Sequence, residues 1–165
     1  MYIIMNGTSL SSTMKNDLHK PTVIEGGLAT DDRGQLSFVN GFGFENIKRF
    51  YVIENFSLDT VRAWHGHMKE EKYIFVVSGS AIVGAVELDD TKNPNKENPV
   101  ARFVLSARKP AMVHIPGGYA NGIKSVEPGT KIIVFSTATM EESKNDDYRF
   151  PHDYWGKKAW EVEHR

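Results

Sequence analysis

The stretch VRAWHGHMKEEKYIFVVSGSAIVGAVEL, residues 61–88, decides how the rest of the chain is read. Side chains alternate across a strand with period two, so a strand over VRAWHGH turns His65 and His67 to the same face. The apolar run YIFVV ends at Ser78-Gly79, where glycine supplies the turn, and AIVGAVEL resumes the pattern. Residues 62–67 and 72–78 are therefore expected as strands joined by a short turn, with both histidines pointing inward.

Working outward, the same grammar repeats from about residue 20. TVIEGG, QLSFVNG and RFYVIEN precede the quoted stretch, and ARFVLSA, AMVHIP and TKIIVFST follow it. The breaks between them are DDRG at 31–34, the polar loop DDTKNPNKENP at 89–99, PGG at 116–118 and EPG at 127–129. Each break carries Gly or Pro where a turn needs special backbone angles. No long segment of helical period appears, and only MEESKNDDYRF offers a helical turn or two. About nine short strands at this spacing predict an all-β barrel or a double-sheet jelly roll. The length suits one domain over 1–165, with residues 1–20 as a polar, irregular N-terminal arm.

Composition narrows the function. Twenty Lys and Arg balance 21 Asp and Glu, so no basic face advertises nucleic acid or a membrane surface. With no cysteine, disulfides, thiolate metal sites and a cysteine nucleophile are excluded. No stretch approaches the roughly 18 apolar residues of a membrane span, and the opening MYIIMNGTS lacks the basic flank of a signal peptide. A cytoplasmic location is the expectation.

Several pieces, in order, resemble the dTDP-4-dehydrorhamnose 3,5-epimerase family of cupin-type jelly rolls. They are DDRG at 31–34, Asn55 and Ser57, Arg62-x-x-His65, Lys72, the VVSG turn, IPGGYANG at 115–122 and YRFPHDYW at 148–155. Arg62-x-x-His65-x-His67 also resembles the related sugar-nucleotide 3,4-ketoisomerases. The resemblance implies a homodimer without cofactor or catalytic metal, acting on a nucleotide-linked 4-keto-6-deoxyhexose, with a dTDP-sugar as the expected partner. It implies deoxysugar synthesis for surface polysaccharide as the pathway.

The chemistry itself can be stated from first principles. A C4 ketone acidifies the hydrogens on C3 and C5, and the resulting enolate oxygen needs a fixed donor or cation. Histidine is the natural base near neutrality. By resemblance His65 is that base, Lys72 and Arg62 stabilise the oxyanion, and Asp153 orients the imidazole. Arg33 is the expected diphosphate contact, with Asn55, His67, Tyr119 and Asn121 as substrate-binding residues. The family's histidine before its general-acid tyrosine is Asn121 here, and the tyrosine position falls on Val134. Tyr73, Tyr119 and His114 remain as candidate acids. Two other readings stay open: a non-catalytic sugar-nucleotide or carbohydrate-binding cupin, and a metal-dependent cupin using His65, His67 and Glu71. In the PGGYANG segment, Tyr119 and Asn121 read equally well as part of a turn bent by Gly117, Gly118 and Gly122.

Overall fold

A computed structural model describes residues 19–163. The expected arm over 1–20 therefore lies almost wholly outside the described residues. The described residues form twelve strands: β1 (Thr22–Glu25), β2 (Gly27–Asp31), β3 (Gly34–Phe38), β4 (Arg49–Glu54), β5 (Val61–His67), β6 (Lys72–Ser78), β7 (Ser80–Glu87), β8 (Ala101–Ser106), β9 (Ala111–Ile115), β10 (Tyr119–Ser125), β11 (Lys131–Ser136) and β12 (Tyr148–Arg149). One short helix, α1 (Met140–Lys144), and a 3₁₀ turn at Lys157–Trp160 complete the described elements.

Two five-stranded antiparallel sheets, β1-β9-β6-β11-β4 and β12-β5-β10-β7-β8, face each other as a cupin jelly roll, with β2 and β3 as a separate hairpin. Alternation is visible in β6, where Lys72, Ile74 and Val76 are buried while Tyr73 and Phe75 are only partly covered. Ile74, Val83, Val113, Ile132 and Val134 fill the space between the sheets, each almost fully excluded from water. At about 25 cal/mol per Å² of apolar surface, this layer is the main stabilising term of the fold.

A second cluster coats the outer face of the other sheet. Trp64, Ile82, Val86 and Phe150 pack there with Trp155 and Trp160 from the C-terminal segment. Indole N–H groups of Trp64 and Trp160 both donate to the His152 carbonyl, at 3.1 and 2.9 Å. β7 is consequently buried on both faces and reads as a continuous apolar run.

The segment after PGG differs from the turn reading. Gly118 takes the positive φ of 87° that the turn requires. Beyond it, Tyr119–Ser125 is a central strand paired to both β5 and β7. Gly122 sits mid-strand for a different reason. A Cβ there would stand 2.4 Å from the Ala63 Cβ and 2.6 Å from the Trp160 ring.

Candidate active site

The two sheets part along the edge formed by β4 on one side and β5 with β12 on the other. Between them lies a cavity of about 650 Å³, lined by Arg49, Tyr51, Arg62, His65, His67, Lys72, Asn121, Asp147 and Arg149 among others. Met140, Ser143 and Lys144 of α1 stand at its mouth.

Strict alternation would put Arg62 on the face opposite His65. A bulge removes the conflict: four residues of β5, Arg62 to His65, span the same length as three residues of β10, Ile123 to Asn121. Arg62, His65 and His67 thus all line the cavity. Asn55 steadies Arg62, its side-chain oxygen accepting from Nε at 2.8 Å while its amide donates to Ser125 Oγ. Asn121, opposite His65, donates to the His65 carbonyl at 2.9 Å.

His67 is held most firmly. Its Nδ1 lies 2.6 Å from the Asp146 carbonyl oxygen and 3.2 Å from Glu70 Oε2. A backbone carbonyl only accepts, so Nδ1 carries the proton and the Nε2 lone pair is left for the cavity. Burial and then the Lys72 charge push the His67 pKa down, with Glu70 opposing. Neither ring nitrogen of His65 has a hydrogen bond among the described residues. Burial, followed by the charges of Arg149 and Lys72, lowers its pKa to about 4. Both imidazoles are neutral at pH 7.

Behind them stands Glu70, 3 % exposed. It accepts from Arg49 at 3.0 Å, from the Ser136 hydroxyl at 2.7 Å and from the Ser143 hydroxyl at 2.6 Å. Burial works to raise its pKa, but Lys72 and the Ser143 and Ser136 hydroxyls outweigh it and hold the carboxyl below its usual range. Asp146, just past α1, closes the β5–β6 connection by accepting the backbone N–H groups of Met68, Lys69 and Glu70 at 2.9, 2.8 and 3.1 Å. A capping box between Thr139 and Glu142 starts the helix that delivers these residues.

The Lys72 side chain enters from the opposite sheet with no hydrogen bond or ion pair to its ammonium among the described residues. Burial lowers its pKa to about 8, with Glu70 holding it up. It remains an ammonium at neutral pH and is free to meet an anionic oxygen.

Tyr51 was not anticipated. The tyrosine position of the resemblance falls on Val134, and Val134 is paired directly with Tyr51 on the neighbouring strand β4. A phenol therefore reaches the same wall from one strand over. Burial, then the Glu70 charge, pushes its pKa up to about 12.

Other expected residues lie elsewhere. Asp153 is exposed in the turn after β12 and does not line the cavity. The chain from Pro151 to Tyr154 turns there, with the Tyr154 N–H bonded to the Pro151 carbonyl, and runs over the outer face of the sheet. The orienting groups stand at His67 instead, where Nδ1 meets the Asp146 carbonyl and Glu70. Arg33 sits at the tip of the β2–β3 hairpin with its side chain 86 % exposed, paired only with Asp31. Tyr119 packs against the core cluster, outside the cavity lining.

The metal pattern does not assemble. Glu71 faces the other side of its sheet, bonded to His114 Nε2 at 2.7 Å. Tyr73 stacks on His114 there, so these two former candidates for the acid also lie away from the cavity. Among the described residues, no three His, Asp or Glu side chains converge as a metal set. No helix among them is long and apolar enough to cross a membrane.

Comparison with known proteins agrees with this geometry. A family model described as FdtA: WxcM-like, C-terminal matches residues 19–157. Among solved structures, a 3,4-ketoisomerase from Helicobacter canadensis superposes with a TM-score of 0.62 at 20% identity, covering 82% of this chain and 94% of that one. The QdtA 3,4-ketoisomerase of Thermoanaerobacterium thermosaccharolyticum in complex with TDP gives 0.62 at 18%, covering 84% and 93%. The Mycobacterium tuberculosis rmlC epimerase gives 0.68 at 14%, covering 89% and 75%. At these identities the likeness shows the fold. Comparison with curated proteins finds no match.

Proposed function

We infer the reaction from one premise: the chain belongs to the FdtA family (WxcM-like, C-terminal). It is an isomerase of a nucleotide-linked 4-keto-6-deoxyhexose, working through an enolate, in deoxysugar synthesis for surface polysaccharide. Similar structures include a 3,4-ketoisomerase variant in complex with TDP-4-keto-6-deoxyglucose, which supports the ligand class. The cavity supports it too, with Arg49, Arg62, Lys72 and Arg149 offering charge to a diphosphate and an enolate.

The observation that carries the mechanism is the fixed tautomer of His67. Its Nε2 takes the hydrogen from C3, and the electron pair moves to the C4 oxygen, where Lys72 and Arg62 meet the developing charge. Return of a proton to C4, with the C3 hydroxyl proton passing to the C4 oxygen, leaves the ketone at C3 and a hydroxyl at C4. His67 takes the role that the resemblance gives to His65, because His67 alone has an oriented ring. His65, neutral beside it on the same strand, is the second proton carrier. Ketone migration is favoured over inversion because both imidazoles stand on one wall. The Tyr51 phenol on the opposite wall, held near 12, is a weak acid.

The test is incubation with TDP-4-keto-6-deoxyglucose in D₂O. Deuterium at C4 of a 3-keto product is expected, and His67→Asn should slow its appearance by roughly 10²- to 10⁴-fold. A deeper loss in His65→Asn would return the base to His65. Binding without any exchange would leave a carbohydrate-binding cupin.

The homodimer implied by the resemblance has its own support. The outer face of the first sheet carries Phe50 and Val52 at 66 % and 57 % exposure, with Phe44 at 65 % beside them. Such a patch fits a face covered by a second copy. Light scattering on the purified protein reads this directly, and a monomer would sink it.

A further inference from the structure

Glu70 is used by nothing in the proposed reaction, yet it is a buried carboxylate and is costly to keep. Its partners come from four separate elements: Arg49 on β4, Ser136 on β11 and Ser143 on α1 donate to it, and the His67 ring on β5 stands 3.2 Å away. We propose that Glu70 is a positioning residue, which braces the Nδ1 edge of the His67 ring beside its hydrogen bond to the Asp146 carbonyl and at the same time clamps α1 over the cavity mouth through Ser143. The inference rests on the reading of His67 as base.

The geometry makes the two tasks inseparable. Oε2 receives both the Ser143 hydroxyl and the edge of the His67 ring, while Oε1 receives Arg49 and Ser136. If α1 lifts, Oε2 loses the donor that fixes it beside His67. The same carboxylate is the counter-charge of the Lys72 ammonium, whose pKa it holds up. The other titratable groups around the node are Arg49 from β4, the neutral His65 from β5, and Asp147 and Arg149 from the segment after α1. Arg49, Lys72 and Arg149 leave this wall strongly positive once Glu70 is neutral. Removing the carboxylate therefore lowers the proton affinity of both Lys72 and His67.

Glu70→Gln keeps the shape and removes the charge. We expect kcat to fall roughly 10- to 100-fold, as for other carboxylates behind a ring nitrogen, with KM little changed. The alkaline limb of the pH–rate profile should move to lower pH, and Glu70→Asp should restore part of the rate. Nitrogen-15 NMR of His67 in the ligand-free protein follows the protonation of its ring without any turnover. A His67 titration moved to lower pH in Glu70→Gln supports the proposal even if no sugar nucleotide proves to be a substrate. An unchanged His67 titration and an unchanged pH limb overturn it. Should Glu70→Gln fail to fold, Ser143→Ala keeps the charge and cuts only the helix contact. Amide exchange across 140–145 should then accelerate, and unchanged exchange rates overturn the clamp.

Discussion

Glu70 and Arg33 are both charged residues in connections between consecutive strands, and their surroundings differ at every level. Glu70 lies where β5 of one sheet crosses to β6 of the other, an arch that later chain must close. Residues far along the sequence do so: Ser136, Ser143 and Asp146 supply the hydroxyls, the carboxylate and the carbonyl. Arg33 lies in a hairpin whose two strands pair only with each other, and every residue of β3 is exposed. Its partner Asp31 is two residues away, an exposed pair of little energetic weight. An arch between sheets gathers long-range partners and fixes side chains; an isolated hairpin leaves them to solvent.

The sharpest way to break the arch side of this contrast is Lys72. Replacing it with Met removes the ammonium proposed to meet the C4 oxygen and should cost roughly 10²- to 10³-fold in kcat, the usual effect of one oxyanion donor. Its pKa gives a second signature. In the folded chain Lys72 loses its proton near 8, against an ordinary 10.5. Between those values the unfolded chain binds the extra proton, so this group makes stability rise with pH while activity falls. Rate and urea midpoint measured from pH 7 to 10.5 should move in opposite directions. In Lys72→Met both trends from this group should vanish.

Much of this was legible in the sequence. The strands of 61–88, the inward histidines and the resemblance followed from period-two patterning and motif order. Strand β10 escaped because YANGIKS is rich in turn formers. Its Gly122 is there for the Trp160 ring and its Asn121 for the cavity, tertiary demands that override strand propensity. Glu70 and Asp146 escaped because carboxylates in EEK and NDDY read as solvated, and their partners are 21 to 78 residues away. Tyr51 escaped because a count along one strand cannot see the paired residue on the next, though the register Val134–Tyr51 makes them neighbours.

Asp146 should give the next largest effect, on stability. Its carboxylate accepts three backbone N–H groups at the arch, two of them at 2.9 Å or less. Asp146→Ala strands those donors, and a loss of roughly 2–4 kcal/mol is expected, since leaving buried donors unpaired costs about 1–3 kcal/mol each and the terms do not add fully. Urea denaturation measures it. The Asp146 carbonyl survives the substitution, so any tautomer change at His67 would come from movement of the arch. A loss below 0.5 kcal/mol would mean that the arch is held by Glu70 and its partners alone.

Arg33 should give the smallest effect on folding, and it tests the other half of the contrast. Its side chain touches only Asp31, and the hairpin tip packs on nothing among the described residues that a smaller side chain would leave empty. Exposed ion pairs two residues apart contribute about 0–1 kcal/mol, and surface substitutions usually fall within about 0.5 kcal/mol. Arg33→Ala should therefore leave the urea midpoint unchanged. A calorimetric titration with TDP on the same variant asks the separate question raised by DDRG. Because Arg33 lies outside the cavity lining of its own chain, a contact with a bound diphosphate would have to be made in the cavity of a second copy. A tenfold loss of affinity with unchanged stability would assign the hairpin that role. A destabilised variant would instead show that the hairpin is held by contacts comparable to those of the arch, and the contrast between the two connections would fail.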